Sequence, residues 1–132
     1  MATVSAMKSE EIEKPGAKLS EASPSERPLD LVHLSKYTFG DRSLEAELMG
    51  LFRSQAGVYI SRLEAAANAK DWRDAAHSLK GSARGLGAWA LADLAEEAEH
   101  HDFDDVSLRE TDLARVRDAI ATVSAFIDDL MS

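Results

Sequence analysis

His77 is the residue of this chain whose type and surroundings could do chemistry. Lys80 follows it by three positions and Arg84 by seven, offsets that bring all three close to one face of an α-helix turning about 100° per residue. An imidazole ordinarily titrates near 6.5, so it is largely neutral at cellular pH and its bare nitrogen can act as a nucleophile. Cations at those offsets could balance a dianionic phosphoryl group beside it. Gly81 lies one turn after His77 and Gly85 two turns after. Each glycine weakens a helix by about 1 kcal/mol relative to Ala, so the pair implies a backbone that a partner must approach closely. A nucleophilic histidine, flanking cations and a low surface together point to group transfer on an exposed side chain.

The helix that must carry these residues has a readable buried face. With Trp72 set at zero, Ala76, Leu79, Ala83 and Leu86 fall within a narrow arc, while Lys70, Arg73, His77, Lys80 and Arg84 form a basic stripe roughly 120° away. Asp71 is the expected cap of this helix and Gly87 its end. Before it, a short helix is predicted from Leu29 to about Lys36, stopped at Gly40, with Asp41 or Ser43 capping the next. That second helix runs from about Ser43 to Asn68 on an apolar stripe of Leu44, Leu48, Leu51, Phe52, Tyr59 and Leu63. A further helix is expected from about Ala88 to His101. The final one begins at a capping box, Ser107-Leu108-Arg109-Glu110, and repeats Leu113, Val116, Ile120, Val123, Ile127 and Leu130 in 3-4 spacing.

No alternating strand pattern interrupts these stripes, so the fold class is all-α: an antiparallel up-down-up-down four-helix bundle with a short additional N-terminal helix. The stripe on the final helix spans only about three heptads and has other amphipathic helices to cover it, so the chain is expected to be a monomer. Residues 1–28 hold all three prolines and few apolar side chains, which predicts a disordered tail ahead of a single domain at 29–132.

Composition narrows the partners. The 132 residues carry a formal net charge of −9, a field that repels nucleic acid and anionic lipid. There is no cysteine, which removes disulfides and thiolate metal sites. No apolar run approaches the roughly 20 residues of a bilayer span and no signal peptide is evident, so a cytoplasmic location is expected. His100-His101 diverge by about 100° on a helix and lack a third ligand at useful spacing; they read as surface residues near a helix end. The acidic run from Asp93 to Asp112 reads as solvated surface, His33 as a residue without a motif, and Trp72 and Trp89 as core or boundary anchors.

The segment His77-Ser78-Leu79-Lys80-Gly81-Ser82-Ala83-Arg84-Gly85-Leu86-Gly87 resembles the signature of histidine-containing phosphotransfer (HPt) domains, in which His is followed by Leu, Lys and Gly at offsets of two, three and four and by Gly at offset ten. Helix order and length are similar from about Leu29 to the C-terminus. The resemblance implies that His77 accepts and donates a phosphoryl group, that Lys80 lies near the phosphate to balance its charge, that Gly81 permits receiver docking and that Gly87 ends the helix. The helical positions themselves add Arg84 as a contact to phosphate or partner, Gly85 beside Gly81 on the approach, and Leu79 on the inward face. The resemblance also implies response-regulator receiver domains and a hybrid sensor kinase as partners in a two-component phosphorelay. Mg²⁺ would sit on the receiver, with no cofactor or metal held by this chain. Neighbouring families fit less well. A sensor kinase's dimerisation helix usually has an acidic residue after its histidine and a proline five positions on, where this chain has Ser78 and Ser82. A receiver would need strands and an acidic pocket. The chain is therefore expected to be a phosphocarrier without autokinase activity; the alternative is a non-catalytic helical adaptor of HPt shape that binds a kinase or regulator.

Overall fold

Residues 27–132 are described by a computed structural model; the expected disorder of the N-terminal tail falls almost wholly outside them. Among the described residues there are five helices and no strand: α1 (Leu31–Thr38), α2 (Arg42–Ala65), α3 (Ala69–Leu86), α4 (Trp89–His100) and α5 (Val106–Met131). The all-α expectation holds. The helix starts follow side-chain capping. Asp30, Asp41, Asn68 and Asp105 each accept a hydrogen bond from a backbone N–H in the first turn of α1, α2, α3 and α5, supplying a partner that an uncapped terminus lacks.

Two of these caps correct the sequence reading. Asn68, not Asp71, caps α3, and Asp71 instead donates its backbone N–H to the Asn68 side chain at 2.9 Å. At α5 the cap is Asp105, whose carboxylate accepts from Leu108; the helix starts before Ser107, so the capping box lies inside its first turn. In both cases a second short polar residue lay within three positions, and spacing alone does not choose between them. At the end of α1 the left-handed turn begins one residue before Gly40: Phe39 has φ 55°, followed by Gly40 at φ 78°. Helix α2 ends at Ala65, three residues short of the expected Asn68.

The core forms where the apolar stripes meet. Trp72, Ala76, Leu79, Ala83 and Leu86 of α3 are all buried, as are Val116, Ile120, Val123 and Ile127 of α5. Leu130 at the end of the α5 stripe is exposed, and so are Leu44 and Leu51 on α2. The Trp72 indole donates to the Ala98 carbonyl at 2.8 Å, fixing α3 to the end of α4. On α2 and α5, Arg53 pairs with Asp128 and Glu64 with Arg117, so the two helices run in opposite directions.

The N-terminal edge is tied to the α3–α4 turn. Leu29 is buried, the Asp30 N–H donates to the Gly87 carbonyl at 2.8 Å, and the Trp89 indole donates to the Asp30 carboxylate at 2.9 Å. That indole bond is the main reason the Asp30 carboxyl sits below its ordinary range. Gly87 is required here twice over: its φ is 89°, and a Cβ would lie 3.0 Å from the Asp30 carbonyl oxygen. The His33 ring packs edge-on against Trp89 with centroids 4.8 Å apart. His101 is also less peripheral than its sequence context indicates, because its Nδ1 lies 2.9 Å from Asp112 Oδ2 and Asp112 is buried. A buried carboxylate needs a hydrogen-bond partner, and His101 supplies it.

Candidate functional site

Helix α3 presents His77 on its outward face, with the side chain 68% exposed. The buried stripe of the same helix, anchored by Trp72 and Leu79, fixes that face toward solvent. Beside it, α4 brings Glu99 to the ring: Glu99 Oε2 lies 2.9 Å from His77 Nδ1. The other carboxylate oxygen accepts from Lys80 Nζ at 2.7 Å. Lys80 and Glu99 are largely withdrawn from water, their side chains 12% and 16% exposed. One carboxylate therefore bridges the histidine and the lysine.

This bridge assigns a tautomer. The hydrogen bond from Lys80, followed by that from His77, holds the Glu99 carboxyl below its ordinary range despite the opposing effect of burial. An ionised carboxylate only accepts hydrogen bonds, so the proton of the Nδ1 contact must sit on the imidazole. In the neutral ring this leaves Nε2 unprotonated, with its lone pair available. The arrangement can present a nitrogen nucleophile in a fixed orientation, the geometry an in-line group transfer requires.

The other residues singled out by the sequence fall into two groups. Gly81 and Gly85 lie on the exposed face of α3, and a Cβ built on either meets nothing within 4 Å, so no packing within the described residues demands glycine at these positions. Leu79 is fully buried and Gly87 caps α3 in the left-handed conformation. Arg84, by contrast, is engaged by Glu96 at 2.5 Å, and Lys70 by Asp74 at 2.7 Å. The basic stripe is thus a row of cations largely matched by neighbouring carboxylates, and Lys80 is a partly buried partner of Glu99 rather than a free surface charge.

Glu99 is the residue that sequence reasoning missed, because the acidic run of α4 read as solvated surface. A signal was present. Lys80 and Arg84 ascend α3 by four positions while Glu99 and Glu96 descend α4 by three, complementary spacing on helices joined by a tight turn at Gly87. Two antiparallel helices so connected place those pairs opposite each other.

Comparison with protein-family models gives a match to the Hpt domain over residues 47–126. The chain belongs to the Hpt domain family. The matched span takes in most of α2, all of α3 and α4 and most of α5, and His77, Lys80, Gly81 and Glu99 all lie within it. Hpt domains act as phosphocarriers in two-component signalling rather than as enzymes proper, and the exposed imidazole on the α3 surface of this Hpt domain accords with that class of chemistry. No match was found among curated proteins or solved structures.

Proposed function

We propose that this Hpt domain relays a phosphoryl group between receiver-domain aspartates through a phosphohistidine at His77. The observation that carries this reading is the exposed imidazole with Nδ1 tied to Glu99 and Nε2 turned free. In the accepting step the Nε2 lone pair forms a bond to phosphorus as the aspartyl oxygen–phosphorus bond breaks, and the electron pair returns to the receiver carboxylate. The donating step reverses this toward a second receiver. The Nδ1–H stays with Glu99 throughout, so the positive character that the ring gains on phosphorylation faces a carboxylate 2.9 Å away.

Lys80 acts through Glu99, holding the carboxylate ionised and oriented, and would have to leave it to reach a phosphoryl oxygen. Arg84, paired with Glu96 at the surface, is the cation placed to exchange its partner for the incoming group or for a receiver carboxylate. Divalent-cation chemistry is assigned to the receiver, as is the aspartate that completes the exchange. A hybrid sensor kinase would charge the first receiver.

Incubation with a phosphorylated receiver tests the proposal. Acid-labile, base-stable label is expected on the wild type and none on His77→Gln, with the helical circular dichroism of the two superimposable because an exposed side chain contributes little to packing. Label retained in His77→Gln would move the site elsewhere. Stable binding of a receiver without label would favour an adaptor instead.

A further inference from the structure

Helix α2 carries a second apolar stripe that the core does not use. Its buried side chains are Met49, Phe52, Ala56 and Leu63, whereas Leu44, Leu51, Val58 and Ala65, spaced seven apart, all lie exposed. Residues seven apart on a helix share one face. Val58 is 48% exposed, and the depression it borders is lined otherwise by Ser54, Gly57, Ser61, Arg62 and Ala65, all of α2. This face therefore looks outward, past the neighbouring helices. The monomer expected from the sequence rested on α5, whose stripe is spent in the core; the stripe on α2 has no such cover among the described residues.

The charged side chains of α2 divide in the same way. Arg53 and Glu64, on the flank toward α5, are paired with Asp128 and Arg117. Glu47 and Arg62 stand exposed on the outer face without an ion-pair partner among the described residues. Asp74 of α3, whose carboxylate feels the Arg62 charge, is bonded to Lys70 instead. These two charges and the four apolar residues are placed symmetrically about the midpoint between Ser54 and Gln55. Leu44 and Ala65 lie equally far on either side of that point, as do Leu51 and Val58, and as do Glu47 and Arg62. Such a face is complementary to itself turned end for end. A second copy laid antiparallel sets Leu51 against Val58, Leu44 against Ala65 and Glu47 against Arg62, each twice over. Laid parallel, the same face would set glutamate against glutamate and arginine against arginine, which resists association.

We propose that the outer face of α2 is a self-association surface, on which two copies of this chain pair antiparallel about a two-fold axis at Ser54 and Gln55, with Glu47–Arg62 ion pairs between copies at both ends. The proposal goes beyond the phosphotransfer reading and uses none of the residues assigned to it. Ser54, small and at the midpoint, lets the two helix axes approach closely. From Leu44 to Ala65 the face is about 31 Å long and one helix wide, so the pair covers on the order of 600 Å², short of the roughly 1,200 Å² of a stable assembly. Association is therefore weak, with half-dimerisation on the order of 100 µM, and is populated where copies are concentrated rather than in dilute solution.

Sedimentation equilibrium of the full chain from about 10 to about 500 µM brackets that range. The weight-average mass of the wild type is expected to rise with concentration from 14.3 kDa toward twice that value. Val58→Asp should stay at monomer mass with its helical circular dichroism unchanged, because the position is exposed. Glu47→Arg and Arg62→Glu should each weaken association about tenfold, and the double variant should restore it, since the facing charges are then opposite again. The chain has no cysteine, so single-cysteine variants read the register. Ser54→Cys should form an interchain disulfide on mild oxidation; Leu44→Cys should not, since the two copies of that position lie about 31 Å apart. A wild type that stays at 14.3 kDa throughout overturns the proposal, as does association that Val58→Asp leaves intact. Loss in both single charge variants without recovery in the double, or a disulfide formed as readily by Leu44→Cys as by Ser54→Cys, overturns the antiparallel register and the proposal with it.

Discussion

Replacing Glu99 by Gln removes one negative charge while keeping the side chain's shape and one hydrogen-bond acceptor. Lys80 then loses a charge-assisted bond made in a largely dehydrated setting, its side chain 12% exposed. Such bonds contribute about 1.5–3 kcal/mol, and a neutral acceptor keeps roughly half of that. The contact to His77 adds about 0.5 kcal/mol at most, because an imidazole that is 68% exposed is well screened. The sum is a loss of about 1–2 kcal/mol at neutral pH, or a fall in Tm of about 4–8 °C for a domain of this size. The pH dependence has a definite sign. The Glu99 carboxyl is held below its ordinary 4.5 in the folded protein, so its contribution is complete above that pH and is lost as pH falls through the lower folded value. The gap in Tm between wild type and Glu99→Gln should therefore be full at pH 7 and narrow below about pH 4.5. Glu99→Ala removes the acceptor as well. Its ring-nitrogen NMR shifts should then report a mixture of His77 tautomers where wild type shows the proton on Nδ1, and phosphoryl acceptance should slow several-fold. Equal Tm for wild type and Glu99→Gln at pH 7, together with an unchanged tautomer in Glu99→Ala, would refute the bridging role.

Three further substitutions separate helix energetics from function. Gly81→Ala, with nothing within 4 Å of the added carbon, should raise stability by up to about 1 kcal/mol, while Gly81→Gln should slow transfer from a receiver by occupying the approach to His77; paired melts and single-turnover rates would show the two properties moving apart. Gly87→Ala should cost about 1–3 kcal/mol in denaturant melts, because the position combines a left-handed φ with a backbone oxygen 3.0 Å from the new Cβ. Deleting residues 1–26 should leave Tm within a few degrees of the full chain, whereas Asp30→Ala should lose about 1–2 kcal/mol through the missing α1 cap and the freed Trp89 indole.

The parts of this molecule legible in its sequence are those set by local periodicity. The buried face of α3 follows from residues spaced three and four apart, and Gly87 announces its left-handed stop because few other residues adopt that conformation cheaply. His77, Gly81 and Gly85 stand out for the same local reason. What the sequence concealed is set between helices. Glu99 acquires its role only when α4 is laid against α3, and Asp112 is buried only because His101 folds back to meet it. The α2 stripe misled in the opposite sense: Leu51 has the spacing of a core residue yet lies exposed, since none of the described helices covers that side of α2. Caps were readable as a class and ambiguous as individuals, since Asn68 and Asp71, or Asp105 and Ser107, offer the same chemistry within one turn.

The tie between Asp30 and the α3–α4 turn also makes a mechanical linkage. Any tension on the segment ahead of Leu29 is delivered first to the Asp30–Gly87 and Asp30–Trp89 bonds, and so to the C-terminal end of α3, rather than along α1 into α2. That end lies nine residues beyond His77, about 13 Å of helix, and a helix is stiff over such a length. A load applied at the N-terminus would thus pull on the lever that carries the imidazole, and two hydrogen bonds and one buried leucine decide how much of it arrives.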